Sequence, residues 1–275
     1  MIEIGPVVDS TWWHEHRSEV VLVDVRWYLD GRSGEAAYEH GHIPGAVFVD
    51  LEQWLSGDAS LESGRHPLPD PAVFAAGMSQ AGIANHDTVV AYDDAGGVIA
   101  ARLVWMLRAI GQKAALLDGG IGQYHSELET GSPARPVAHF SPRPWPSSRL
   151  ATIEETADPT KILIDARNAD RYRGENDPID PRPGHIPNAR NVPCRENLTA
   201  EGTFLPIHEL RRRFEEVGVT RADQVISYCG SGVTACHNLL ALELAGFGQG
   251  RLYPGSWSQY SRNLDRPIAT GSAPA

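Results

Sequence analysis

LIDAR at residues 163–167, followed by GHIPNA at 184–189, restates LVDVR at 22–26 and GHIPGA at 41–46. Working outward, DTVVAYDDAGGV (87–98) parallels DQVISYCGSGV (223–233), and LLDGGIGQY (116–124) parallels RLYPGSWSQY (251–260). Four blocks recur in one order at offsets of 135 to 143 residues, so the chain is a duplication. The same register sets Cys229 opposite Asp93. The runs VVLVDV (20–25), DTVVAY (87–92), KILIDA (161–166) and QVISY (224–228) are short, β-branched and almost continuously apolar, which suits buried parallel strands. Helical patterns over 100–110 and 234–245 lie between strands, each ending near a glycine, Gly111 or Gly246, that can cap it. This alternation predicts an α/β fold used twice, each copy a mainly parallel open sheet flanked by helices. In such sheets ligands sit beyond the carboxyl ends of the strands.

A length of 275 residues accommodates two domains of ordinary size. The stretch GSPARPVAHFSPRPWPSS (131–148) holds five prolines and reads as a semi-rigid linker. The expected division is residues 1–130, a Pro-rich linker over 131–149, and residues 150–275. The charge is 24 − 35 = −11, which argues against nucleic-acid and anionic-membrane partners but leaves room for a local arginine cluster binding a small anion. Three cysteines are too few for a disulfide scaffold and odd in number, pointing to a reducing, cytoplasmic setting. The N-terminal MIEIGPVVDSTWW lacks the basic start and apolar run of a signal peptide, and no apolar stretch has the length of a membrane span.

The chemistry is expected in VISYCGSGVTACHNLLALELAG (225–246). A strand ends at Tyr228, and Cys229 opens a loop whose glycines, Gly230 and Gly232, let successive N–H groups curl inward before a helix starts near Thr234. Such a nest, together with the positive end of a helix, accepts anions and poises a thiol to act as a nucleophile. An arbitrary cysteine is more often a small buried core residue, but this strand–glycine loop–helix setting favours the nucleophile. Cys236, two helical turns on, is expected to pack, and Cys194, after Pro193, to be incidental. The chain has no C-x-x-C pair, and its cysteines and histidines lack zinc-ligand spacing, so neither metal nor cofactor is expected. A cysteine phosphatase needs an arginine six residues after its nucleophile, and here that position is Ala235.

The duplicated halves, the L-x-D-x-R and GHIP-x-A blocks and CGSGVT together resemble the two-domain rhodanese family of sulfurtransferases. That resemblance implies two tandem rhodanese-like domains and a sulfane sulfur carried as a Cys229 persulfide, with Gly230, Gly232, Val233 and Thr234 lining the cradle. The loop is similar to the 3-mercaptopyruvate branch; thiosulfate-preferring members carry basic residues after the cysteine, and here none occurs from Gly230 to Thr234. The implied partners are a small-molecule sulfur donor, a cyanide or thiol acceptor, and a thioredoxin-like reductant. The family's paired arginines match Arg171, before Tyr172, and Arg182, after Pro181, although the intervening turn is two residues longer than the pattern. VDLEQW (49–54) and RHPLP (65–69) resemble the segment that supplies an acidic residue and a histidine, implying a relay of Glu52, His66 and Ser231. Asp24 with Arg26, and Asp165 with Arg167, are expected to form structural pairs. With Asp93 in place of a cysteine, the first half is expected to be non-catalytic. Two rivals remain at this point: a thiosulfate sulfurtransferase, and a non-enzymatic sulfur-carrier or regulatory module.

Overall fold

The computed structural model describes residues 3–133 and 135–272. The chain divides into two compact units, one of residues 1–57, 68–145 and 198–204, the other of residues 58–67, 146–197 and 205–275.

The first unit contains β1 (Val7–Val8), α1 (Ser10–His16), β2 (Val20–Asp24), α2 (Gly34–His40), β3 (Val47–Phe48), α3 (Leu51–Trp54), α4 (Pro71–Gln80), β4 (Thr88–Tyr92), α5 (Ala101–Ala109) and β5 (Ala114–Leu117). Its strands form one sheet in the order β1-β5-β4-β2-β3, and every pairing is parallel. Helices cover such sheets on both faces, which is why β4 is buried along its whole length and reads as an unbroken apolar run. Polar side chains start several helices: Asp9 accepts from Trp12 N–H before α1, Ser33 from Ala36 before α2, and Asp50 from Gln53 before α3.

The second unit contains β6 (Ile162–Asp165), α6 (Ala169–Arg173), β7 (Arg190–Asn191), α7 (Ile207–Glu216), β8 (Val225–Tyr228), α8 (Ala235–Leu244), β9 (Arg251–Leu252) and α9 (Ser256–Tyr260). Its sheet runs β7-β6-β8-β9, again all parallel. In both units the paired strands end on equivalent rungs, Asp24 beside Tyr92 and Asp165 beside Tyr228. The next residues along, Asp93 and Cys229, therefore leave the carboxyl edge of an interior strand.

The repeated blocks have one physical explanation. Arg26 Nη2 donates to Asp24 Oδ2 at 2.7 Å and to the Gly41 carbonyl at 2.8 Å; Arg167 Nη2 donates to Asp165 Oδ2 at 2.6 Å and to the Gly184 carbonyl at 2.7 Å. Each pair ties a strand end to the following GHIP turn, and each charge is compensated in a buried setting. The turn histidines stack on tyrosines, His42 on Tyr38 and His185 on Tyr172, at ring separations of 4.0 and 3.7 Å. The Tyr92 and Tyr228 hydroxyls accept from the N–H groups of Ile43 and Ile186.

Residues 135–145 of the proline-rich stretch lie along the first unit. Arg135 Nε donates to the Gly82 carbonyl, Ala138 N–H to the Ser79 carbonyl, and Trp145 Nε1 to the Pro69 carbonyl. Phe140 is buried edge-on against Phe74 at 5.8 Å. Prolines keep the segment extended while the remaining donors bond to the helix-and-loop surface beneath.

Candidate active site

The loop from Cys229 to Thr234 joins β8 to α8, and Cys229 is 2% exposed. Its Sγ accepts the Gly232 N–H at 3.1 Å. Gly232 adopts φ +81°, and a Cβ there would lie 2.6 Å from the Pro254 carbonyl oxygen, so both backbone shape and space demand glycine. Thr234 opens α8 without a side-chain cap, so the loop and the first turn of the helix keep backbone donors at this end of the strand. Cys236 Sγ donates to the Gly232 carbonyl at 3.4 Å and fixes the loop from below.

A second element clamps the loop from the other side. The N–H groups of Trp257 and Ser258, in the first turn of α9, donate to the carbonyls of Cys229 and Gly230 at 3.0 and 2.8 Å. Ser256 takes φ +50°, unusual for a non-glycine residue, and its Oγ accepts the Cys229 N–H at 3.2 Å. No sequence pattern pointed to Ser256, since the strain and the contact exist only in the fold.

Residues 58–67 belong to this unit and bring Arg65 and His66 to the loop. Arg65 N–H donates to Ser258 Oγ at 3.0 Å, and His66 Nδ1 shares a 2.8 Å hydrogen bond with Ser231 Oγ. The histidine and the serine are both buried. Glu52, the third member of the expected relay, belongs to the first unit, where its carboxylate accepts from the Trp27 indole at 3.1 Å.

Two guanidinium groups stand over Gly230. A methyl group built on Gly230 would lie 3.3 Å from Arg65 Nη2 and 3.4 and 3.6 Å from Arg171 Nη1 and Nη2. Asp180 bridges them, accepting from Arg65 Nη1 at 2.8 Å and Arg171 Nη2 at 2.9 Å. Asp177 accepts from Arg171 at 3.0 Å and from Arg167 at 3.3 Å. The Nε atoms of Arg65 and Arg171 have no hydrogen-bond partner. Arg171 is thus at the loop, as its motif implies.

Arg182 is engaged beyond α9. Its guanidinium donates to the carbonyls of Ser261, Arg266, Tyr260 and Asn263, so four of its five N–H donors hold the chain that follows α9. The turn that is two residues longer than the pattern gives Asp180 the position facing the two guanidiniums, and Arg65 is the second cation over Gly230. Arg65 lies in the quoted RHPLP run, but nothing local in that run marks it as a partner of a loop more than 160 residues away.

Cys194 and Cys236 are free thiols, as is Cys229. Burial pushes the Cys194 thiol up to about 12, which makes it inert as a nucleophile near neutral pH. Among the described residues no three His, Cys, Asp or Glu side chains are placed to hold a metal ion, and no helix is long and apolar enough to cross a membrane.

The duplicate loop in the first unit shows what such a cradle accepts. The Asp93 carboxylate takes the N–H groups of Ala95, Gly97, Ile99 and Ala100, each at 2.8 Å. A carboxyl group fully enclosed by backbone donors sits where the repeat has the cysteine; burial pushes its pKa up, against the lowering pull of those donors.

Comparison with known proteins agrees with this geometry. The rhodanese-like domain pattern matches residues 10–127 and again 149–263. The chain belongs to the rhodanese family, as a two-domain sulfurtransferase. Over 264 residues it is 42% identical to a probable 3-mercaptopyruvate sulfurtransferase of Pseudomonas aeruginosa, covering 92% of this chain and 93% of that one. It is 31% identical to thiosulfate/3-mercaptopyruvate sulfurtransferase 2 of Arabidopsis thaliana, with 98% and 87% covered. The solved 3-mercaptopyruvate sulfurtransferase of Leishmania major superposes with a TM-score of 0.86 at 32% identity, covering 96% of this chain and 76% of that one. In this rhodanese the resemblance read from CGSGVT and the GHIP blocks therefore extends over almost the whole sequence.

Proposed function

We propose that the protein transfers a sulfane sulfur from 3-mercaptopyruvate to a thiol or cyanide through a persulfide on Cys229, and that the first copy is non-catalytic. The observation that carries this reading is the Cys229 sulfur on the Gly232 N–H, with Arg65 and Arg171 over the adjacent Gly230. The donor's carboxylate is fixed by the guanidinium groups, which offer a planar fork of N–H donors. The Cys229 thiolate attacks the donor sulfur, forming the S–S bond as the C–S bond breaks. The electron pair of the C–S bond goes to carbon, giving the enolate of pyruvate. Ser231, held by His66, stands as proton donor to that enolate. The outer sulfur of the persulfide lies among the loop N–H groups, which favour its negative charge. A thiolate acceptor then attacks the outer sulfur and regenerates the Cys229 thiolate; cyanide leaves as thiocyanate. A thioredoxin-like dithiol suits the acceptor step, and three free cysteines suit a cytoplasmic setting.

Thiosulfate is the second reading, because relatives carry that name too. The experiment compares kcat/KM for the two donors with cyanide as acceptor. A preference for 3-mercaptopyruvate supports the reading; a preference for thiosulfate overturns it. Cys229→Ser is expected to abolish turnover and the mass increase of one sulfur, and activity retained in that variant would refute the persulfide.

A further inference from the structure

Arg65, Arg171 and the carboxylates behind them form an alternating ladder of charge. It runs Asp165, Arg167, Asp177, Arg171, Asp180, Arg65, linked by contacts of 2.6, 3.3, 3.0, 2.9 and 2.8 Å. The three aspartates are fully enclosed; the side chains of Arg171 and Arg65 keep 19% and 23% exposure. Three positive and three negative charges cancel. The face over Gly230 therefore offers directed N–H donors without a net positive charge.

This arrangement differs from a bare arginine pair in what it selects. Two uncompensated guanidiniums attract a compact dianion in proportion to its charge, whereas a neutralised pair binds through hydrogen-bond geometry and penalises each extra negative charge. We infer that Asp180 is a specificity-determining residue: by cancelling one charge between Arg65 and Arg171 it favours a monoanionic carboxylate donor over a dianionic donor such as thiosulfate. Asp180 acts through the two arginines and is a positioning residue. The inference rests on the sulfurtransferase reading above and deepens it. The enclosed Asp180 side chain faces only the guanidiniums among its described ion pairs, so replacing its charge changes the field at Gly230 by one unit.

The test is the ratio of kcat/KM for thiosulfate to that for 3-mercaptopyruvate, with cyanide as acceptor, in the full chain and in Asp180→Asn and Asp180→Glu. One charge at roughly 6 Å in an effective dielectric of about 20 is a factor of about 100, which the half-open site screens toward about tenfold. The ratio is expected to rise about tenfold in Asp180→Asn, chiefly through the KM for thiosulfate, and to stay near the wild-type value in the charge-retaining Asp180→Glu. A ratio unchanged within twofold, with both donors losing activity together, would assign Asp180 a merely structural role and overturn the inference. Should Asp180→Asn not fold, Arg65→Gln removes a positive charge from the other end of the ladder. There the ratio is expected to fall, and an unchanged ratio refutes the inference equally. Wild-type protein that turns over no 3-mercaptopyruvate would sink the sulfurtransferase reading itself; normal wild-type turnover with flat ratios sinks only the role of Asp180.

Discussion

Replacing Asp93 by alanine is the most direct probe of what the first cradle contains. The carboxylate is fully buried and accepts four backbone N–H groups at 2.8 Å. Alanine leaves all four without an acceptor, and an orphaned buried donor costs about 1–3 kcal/mol. Simple addition overshoots, because the loop relaxes and water can enter the vacated space. An expected loss of about 3–5 kcal/mol places the substitution among severe single changes. Guanidinium unfolding followed by circular dichroism reads the loss, with the two units allowed separate transitions. Hydrogen exchange over residues 95–105 localises it to the loop and the start of α5. A small anion should partly replace the missing carboxylate, so formate is expected to raise the melting temperature of the variant and leave the parent unchanged. A loss below about 1 kcal/mol, with unaltered exchange and no response to formate, would refute the claim that the cradle needs an anion.

Three further outcomes follow from the second unit. Ser231→Ala and His66→Ala are expected to lower kcat with 3-mercaptopyruvate about 10- to 100-fold while sparing thiosulfate, whose sulfite leaving group needs no proton; equal losses on both donors in steady-state assays would contradict the proton-donor role. Gly232→Ala forces φ +81° on a residue with a Cβ that would lie 2.6 Å from the Pro254 oxygen, so activity should fall at least about tenfold and stability by about 1–2 kcal/mol, both measurable on one preparation. Burial holds His185 below the ordinary histidine range. The unfolded chain therefore takes up this proton first as pH falls below about 6.5, and stability present above that pH is lost on acidification. His185→Gln should flatten that part of the profile between pH 7 and 5 in urea titrations; an unchanged slope would discount His185.

The strands and the loop were legible because each is encoded locally. Apolar β-branched runs become buried parallel strands wherever helices cover both faces, so KILIDA and QVISY announce β6 and β8 to within a residue or two. Cys229 was legible for the same reason, since strand, glycines and helix follow one another without interruption. Arg65 and Asp180 were not. Arg65 reaches the loop because residues 58–67 belong to the second unit, and no periodicity marks such an exchange of segments. Asp180 was hidden by an insertion: the lengthened turn from Asp177 to Pro181 was read as a spacing irregularity before Arg182, yet its fold turns a carboxylate toward two guanidiniums and sends Arg182 to the carbonyls beyond α9. Ser256 was hidden because only a tertiary contact requires its positive φ.

The duplicated loops separate two ingredients that a single-copy fold would confound. Both leave the end of an interior strand and lead to a helix; the first surrounds its acceptor with four backbone N–H groups, and the second gives its sulfur that of Gly232. In the first, the acceptor is a carboxylate held four-fold, so the chain's own side chain fills the cradle. In the second, the acceptor is one thiol sulfur on the Gly232 N–H, a smaller group that extends by one atom when a sulfur is transferred to it. A permanent carboxylate satisfies the donors and adds stability but leaves nothing to exchange. In the proposed persulfide cycle, a sulfur held by one N–H gains most from the loop when the outer sulfur brings charge to it, which is the condition for turnover rather than for tight filling. On the proposed reading, the residue that opens the loop separates a copy that keeps its acceptor from one that exchanges it, and the role inferred for Asp180 makes the charges over Gly230 the selector of the donor.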